Sequence, residues 1–366
     1  MSSAPTTLFS PIRIGDIDCA NRIFMAPLTR CRATPGGDVP NALMAEYYAQ
    51  RAGAGLIVSE GTQVLANGKG YMNTPGIYSA EQESGWRLVT NAVHQRGGRI
   101  VAQLWHVGAI SHPDLQPDGA QPVTATEGFN PGGITRTPRG KVERGPARAL
   151  STDEVRSMVG AFRHAAEVAR RAGFDGAEIH GANGYLIEQF LRDSSNQRSD
   201  AYGGSIDTRI RFALEVVDAV AEVFGASRTG IRLSPVTLAN NAKPDSNAQA
   251  TYGALVEALA ARGIAYVHFI EGNTGGARDL TGFDFAWAKK RLGEAGVTYI
   301  ANNRYDRILA MHTIAHGAAD AIAFGVSFLA NPDLPERLRR DAPLNPPRPK
   351  LFYAPGAEGY TDYPAL

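Results

Sequence analysis

Short apolar, β-branched runs alternate along the chain with longer stretches whose apolar residues recur every three to four positions, the pattern of strand and helix units in regular succession. The apolar runs predict strands near Ile23 to Leu28, Leu56 to Glu60, Ile100 to Trp105, Gly176 to His180, Gly230 to Ser234, Ala265 to Ile270, Thr298 to Asn302 and Ala321 to Phe324. Between them the helical period predicts helices over Ala42 to Ala52, Glu81 to Gln95, Thr152 to Ala172, Ile206 to Phe224, Ala248 to Ala261 and Phe285 to Leu292. Ser151 stands three residues before Glu154, the spacing of a capping box. Gly53, Gly97, Gly173 and Gly263 each separate a helix from the next strand, where a helix end accepts glycine best. Eight such units close into a single-domain (β/α)8 TIM barrel over residues 1–366 more readily than they form an open sheet. The stretch from Ser111 to Ala149 is rich in Pro, Gly and Thr and too long for a plain connection. It predicts a small hairpin excursion after strand three, over the barrel mouth.

Composition narrows the partners. With 43% hydrophobic and 20% charged residues the chain can fill a large core and is unlike a disordered polymer. Lys and Arg total 37 against 36 Asp and Glu, so no net field attracts nucleic acid or anionic lipid, and a small-molecule ligand is expected. The two cysteines, Cys19 and Cys31, lack the spacing of a zinc site, an iron-sulfur cluster or a disulfide framework, which fits a reducing cytoplasm and no metal. Met1 to Thr7 carries no basic residue before an apolar stretch, and no run of about 18 apolar residues occurs, so neither export nor membrane insertion is expected. A monomer or a homodimer is equally compatible with these properties.

In such barrels chemistry sits at the C-terminal ends of the strands. Alternation along a strand puts Met25, Pro27 and Thr29 on one face, Gln103 with Trp105, and Glu178 with His180. His180 and Asn183, three residues apart after strand four, converge if the loop begins a helical turn. The Tyr185 phenol stays protonated at neutral pH and is a candidate general acid. Arg232 ends strand five, with Glu178 on the neighbouring strand as its candidate ion-pair partner. The strand ends offer neither a catalytic lysine nor a carboxylate and histidine metal cluster, which disfavours an aldolase or a metal-dependent hydrolase. No GxGxxG opens a helix after a strand, which disfavours a Rossmann dehydrogenase. A ligand-binding module without turnover is the other competing class, and Tyr185 argues against it.

The segment NRIFMAPLTR, Asn21 to Arg30, resembles the first barrel strand of the old yellow enzyme family. SEGTQV from Ser59, QLWH from Gln103, EIHGANGYLIEQFL from Glu178, SNQRSDAYGGS from Ser195, ANPDL from Ala330 and GAEGYTDYP from Gly356 follow in the family's order. The resemblance spans nearly the whole chain. It implies bound FMN, NADPH or NADH as co-substrate, and ping-pong reduction of electrophilic alkenes activated by a carbonyl or nitro group. By position it implies flavin contacts from Pro27, Leu28, Thr29, Gly61, Gln103, His180, Arg232, Asn303, Arg304, Gly325, Val326 and Phe352. It implies a substrate pocket of Thr29, Tyr71, Trp105, His180, Asn183, Tyr185 and Tyr353, with His180 and Asn183 clamping the substrate oxygen and Tyr185 giving the proton. Thr29 is expected to donate to the flavin O4 and Arg232 to face N1, oriented by Glu178. Val326 stands where many relatives carry a basic residue, and Arg304 where the family tends to small residues, so Arg304 is expected to supply the phosphate-binding cation. The related dienoyl-CoA reductases add an iron-sulfur cluster and a second domain, for which this chain has neither cysteines nor length.

Overall fold

The computed structural model describes residues 6–366, so most of the Met1 to Thr7 segment lies outside the described residues. The chain enters through a hairpin of β1 (Ile12–Ile14) and β2 (Ile17–Cys19). The barrel strands are β3 (Ile23–Met25), β4 (Ile57–Gln63) and β5 (Ile100–Trp105), followed after the excursion by β10 (Gly176–Gly181), β11 (Thr229–Leu233), β12 (Tyr266–Ile270), β13 (Thr298–Asn302) and β14 (Ala321–Phe324). All neighbours pair in parallel and β14 closes onto β3. The excursion holds β6 (Val123–Thr124), paired with β9 (Arg148–Ala149), and the antiparallel hairpin of β7 (Ile134–Thr137) and β8 (Gly140–Glu143). The expected barrel with a hairpin after its third strand is therefore what the chain forms.

Helices α1 (Ala42–Gln50), α2 (Ala80–Gln95), α3 (Thr152–Arg171), α4 (Leu186–Leu191), α5 (Ile206–Phe224), α6 (Ala248–Arg262), α7 (Phe285–Glu294), α8 (Arg307–Ala315), α9 (Val326–Ala330) and α10 (Leu334–Arg340) surround the strands. The Ser151 and Glu154 capping box forms in both directions at α3. Gly263 ends α6 in the left-handed region at φ 58°, a conformation a side chain would strain. No described helix is long and apolar enough to cross a membrane.

Two local departures from the expected strands shape the mouth. The first strand stops at Met25 instead of running to Leu28, because the chain leaves the sheet there, and Ala26 through Thr29 all line the mouth cavity. The expected alternation of Met25, Pro27 and Thr29 therefore does not hold. Strand β4 runs on to Gln63 with a register shift between Val58 and Gly61, bridged by the Ser59 hydroxyl, which accepts the Gln103 N–H at 2.9 Å. That bulge brings Gly61 level with Gln103, where a Cβ would lie 2.5 Å from the Trp105 ring. Glycine lets the indole lie against β4.

The end of the chain is clasped to its beginning. Buried Arg30 donates to the carbonyls of Phe352 at 3.1 Å and Gly359 at 2.6 Å, and Arg32 to those of Gly356, Glu358 and Leu351 at 2.9 to 3.1 Å. Tyr360 stacks on Tyr47 with ring centroids 4.0 Å apart, and both arginines lie over Tyr360. Charged donors on carbonyls with cations over aromatic faces hold this segment far more firmly than a frayed tail would be held.

Candidate active site

A cavity of about 860 Å³ opens at the C-terminal ends of the strands. Of the expected residues it is lined by Pro27, Leu28, Thr29, Asn183, Arg232, Asn303, Arg304, Gly325, Val326, Phe352 and Tyr353. Trp105, Tyr185 and Tyr71 form a separate aromatic cluster with Val107 and Ile110. Gly61 and Gln103 lie below it on β4 and β5. His180 joins the two regions: its ring faces Trp105 and meets Tyr185 edge-on at 5.0 Å, while its backbone lies in register with Arg232. Tyr353 is 64% exposed, so it stands on the rim and not in the wall.

Arg232 carries the electrostatics of the cavity. It is buried, and desolvation lowers its pKa to about 10 despite the favourable charge of Glu178, which leaves it protonated at neutral pH. One guanidinium nitrogen donates to Asn302 Oδ1 at 2.8 Å, while Nε has no partner. The expected ion pair of Arg232 with Glu178 does not form. Parallel register sets Glu178 opposite Gly230, one level deeper than Arg232, and its carboxylate turns sideways. There it accepts Gln103 Nε2 at 2.8 Å and His268 Nδ1 at 2.9 Å. Burial lowers the His268 pKa, so the ring is neutral and donates that bond, and Glu178 fixes the Gln103 amide from the neighbouring strand.

A buried cation with an unpartnered N–H, facing a cavity with Pro27, Leu28, Phe324 and Phe352 in its walls, fits a planar, partly anionic ligand such as FMN. At the other end of the cavity Gly325 leads into α9, whose first N–H groups have no partner within the helix. Asn303 and Arg304 face it in consecutive positive-φ conformations, 108° and 57°. Arg304 donates to the carbonyls of Gly276 at 3.0 Å and Gly275 at 2.8 Å, which leaves further guanidinium donors available at the rim.

The donors beside Tyr185 are held by a network the sequence did not reveal. His180 Nδ1 accepts the Ala182 N–H at 3.3 Å, so the proton of the neutral ring sits on Nε2. Burial and the charge of Arg232 depress its pKa well below the usual histidine range, and the ring stays neutral. No helical turn follows His180; Asn183 adopts φ 61° and α4 begins only at Leu186. The Asn183 N–H donates to Ser234 Oγ at 2.8 Å, and its Oδ1 accepts Thr274 Oγ1 at 2.6 Å. With Oδ1 engaged, the Nδ2 donors are the part of the amide left for a ligand. Tyr185 is 8% exposed, shares a hydrogen bond with Tyr71 at 3.0 Å, and has its pKa raised by burial.

Ser234 and Asn302, like Arg232, sit at strand ends and were open to the rule that singled out Arg232. Thr274, on an irregular loop after β12, gave no periodic signal. If Thr274 sets the polarity of the Asn183 amide, Thr274→Val is expected to weaken enone binding roughly threefold to tenfold, the worth of one neutral hydrogen bond. Thr274→Ser is expected to restore it. KM and the inhibition constant of a phenol measured side by side check this, and unchanged values in the valine variant reject it.

The model of the NADH:flavin oxidoreductase / NADH oxidase family matches residues 7–345. The chain is 42% identical to 12-oxophytodienoate reductase 1 of Oryza sativa subsp. japonica, over 100% of this chain and 94% of that one. It is 40% identical to the flavin oxidoreductase hxnT of Emericella nidulans, over 98% and 97%. Among solved structures, morphinone reductase superposes with a TM-score of 0.91 at 44% identity, over 100% and 98% of the two chains. The old yellow enzyme homologue from Zymomonas mobilis gives 0.92 at 40% identity, over 99% and 100%. The chain belongs to the NADH:flavin oxidoreductase / NADH oxidase family and is an FMN-dependent ene reductase of the old yellow enzyme type, reducing activated C=C bonds with a nicotinamide coenzyme as reductant.

Proposed function

We infer that the substrates are α,β-unsaturated carbonyl or nitro compounds, with His180 and Asn183 binding the activating oxygen and Tyr185 protonating the α-carbon. The buried Arg232 guanidinium in the cavity wall, bonded to Asn302 alone and with its Nε–H unpartnered, is the observation that carries this reading. When bound, FMN supplies the site that accepts hydride from the coenzyme and returns it to the alkene. Arg232 then sets a positive charge against the flavin's electron-rich edge, and Gln103, steadied by Glu178, and Thr29 offer hydrogen bonds to its polar rim. Pro27, Leu28, Gly61 and Phe352 provide apolar or close backbone surface. His180 Nε2–H and the Asn183 amide are two neutral donors, suited to the negative charge that builds on a carbonyl or nitro oxygen as hydride reaches the β-carbon. Trp105 and Tyr71 give the flat walls a conjugated substrate favours, with Tyr353 at the rim.

Asn303, Gly325, Val326 and Arg304 are proposed to hold the FMN phosphate, Arg304 replacing the cation absent at Val326. Removing a charge-assisted bond to phosphate is expected to weaken FMN binding roughly tenfold to a hundredfold in Arg304→Ala. Arg304→Gly loses the same charge but suits the left-handed φ, so equal weakening in both variants, measured by flavin fluorescence, assigns the effect to the guanidinium. Unchanged dissociation constants leave Arg304 a tie for the 275–276 loop alone. Either NADPH or NADH is proposed as reductant, in a cytoplasmic, single-domain protein acting as a monomer or homodimer. The test of the whole reading is a flavin spectrum of the purified protein, release of FMN on boiling, and oxidation of NADPH or NADH that depends on 2-cyclohexenone. A colourless protein, or a yellow one without enone-dependent turnover, rejects it.

A further inference from the structure

Eight arginines are buried among the described residues: Arg30, Arg32, Arg51, Arg144, Arg192, Arg209, Arg232 and Arg337. Their hydrogen bonds divide them sharply. Arg32 and Arg51 each give five bonds. Arg192 gives four and Arg337 three. Arg30 gives two and lies over two tyrosine rings, and Arg209 gives two, one to the carboxylate of Asp245. Only Arg232 and Arg144 give a single side-chain bond, and that of Arg144 is a marginal 3.4 Å contact with the Gly132 carbonyl. In both the Nε lacks any partner, as it does in Arg209, whose charge Asp245 balances. A guanidinium cannot shed its proton to escape burial, so a desolvated one with neither an anion nor a full set of neutral acceptors signals a ligand that brings them.

For Arg232 that ligand is the proposed flavin; Arg144 stands elsewhere. It follows β8 at the foot of the excursion hairpin, 8% exposed, with its N–H bonded to the Gly133 carbonyl. The hairpin is tied on one side to the residue before Tyr71, where Thr135 Oγ1 donates to the Gly70 carbonyl at 3.1 Å. On the other side Asn241 Nδ2 reaches the Pro131 carbonyl at 3.2 Å, and the adjacent Asn240 bonds the Asn183 carbonyl at 3.0 Å. Arg144 therefore lies in a roof strung between the Tyr71 segment and the Asn183 loop, close enough that its charge favours the ionised forms of both Tyr71 and Tyr185.

We propose that Arg144 is an anion subsite in the roof of the substrate pocket, taking a carboxylate carried by the alkene substrate. The inference rests on the reductase reading and adds a substrate class to it: activated alkenes bearing a carboxylate beyond the conjugated unit. A carboxylate matches the planar fork of a guanidinium, and so enclosed a position suits a small planar anion at the end of a substrate better than a phosphate inside a bulky coenzyme.

The test compares trans-4-oxo-2-pentenoate with its methyl ester, which differ in charge on one skeleton. The acid-to-ester ratio of kcat/KM is expected to fall roughly 10- to 100-fold in Arg144→Gln, with Arg144→Lys in between, both variants first checked for wild-type FMN content. A second arm needs no turnover: equilibrium dialysis of 4-hydroxybenzoate against 4-hydroxybenzamide, whose affinity ratio is expected to shift the same way. Acid and ester falling together would make Arg144 roof packing and overturn the proposal. An effect confined to the KM for NADPH would assign the anion to the coenzyme and overturn it equally. If wild-type enzyme reduces neither ester nor 2-cyclohexenone, the reductase reading fails, while the dialysis ratio still decides on Arg144.

Discussion

Replacing Tyr185 by phenylalanine is expected to slow alkene reduction by about 10² to 10⁴-fold, the usual range for loss of a positioned general acid, while FMN stays bound and is still reduced by the coenzyme. The argument is geometric. The phenol is 8% exposed, meets the rings of Trp105 and His180 edge-on at centroid distances of 5.0 Å, and is hydrogen-bonded to Tyr71 at 3.0 Å. Phenylalanine keeps the ring contacts and loses only the hydroxyl. Burial raises the Tyr185 pKa above its ordinary value near 10, so the proton is retained through neutral pH and loss of activity with rising pH should set in only in the alkaline range. Stopped-flow measurement of the two half-reactions separates the cases. Equal slowing of both would show that Tyr185 shapes the site without delivering the proton.

Removing the Glu188 carboxylate, as in Glu188→Ala, is expected to cost about 3–5 kcal/mol of stability, because it strands a buried guanidinium. Glu188 and Arg192 are 0% and 2% exposed in their side chains and 3.1 Å apart. The carboxylate also accepts the hydroxyls of Ser234 and Tyr252 at 2.7 Å each, and the Gly184 N–H. Ser234 in turn receives the Asn183 N–H, so the same carboxylate that balances Arg192 shapes the loop presenting Asn183 and Tyr185. The midpoint of urea unfolding should fall accordingly. Combining Glu188→Ala with Arg192→Met should recover part of the loss, since the second change removes the stranded charge. An unmoved midpoint in the single variant would mean that the pair is solvated and contributes little.

Much of the scaffold was readable from the residues alone because parallel barrel strands are buried on both sides and appear as dense apolar runs. Ile100–Trp105, Thr298–Asn302 and Ala321–Phe324 fall where the runs predict. The helices α4, α8, α9 and α10 were not read: at 5 to 9 residues they leave periodicity little room, and of the helices this short only α1 was anticipated. In the site, polar residues at strand ends stood out, and the motif order placed Tyr185 and Asn183 in one loop. What could not be read was which groups bond to which. Glu178 and Arg232 lie on adjacent strands, yet register by one level sends the carboxylate to Gln103 and His268. Thr274 and Arg144 sit on irregular chain, where no period marks them and only the folded contacts single them out.

The clasp between Arg30 and the carbonyl of Phe352 joins residues 322 positions apart, and it brings the Phe352 wall of the mouth cavity into place. During synthesis the barrel's first strand leaves the ribosome long before that wall exists. If the flavin sits against Phe352 as proposed, its capture waits for a finished polypeptide, and premature termination just short of this segment should yield a stubbornly pale product even where most of the barrel is already made.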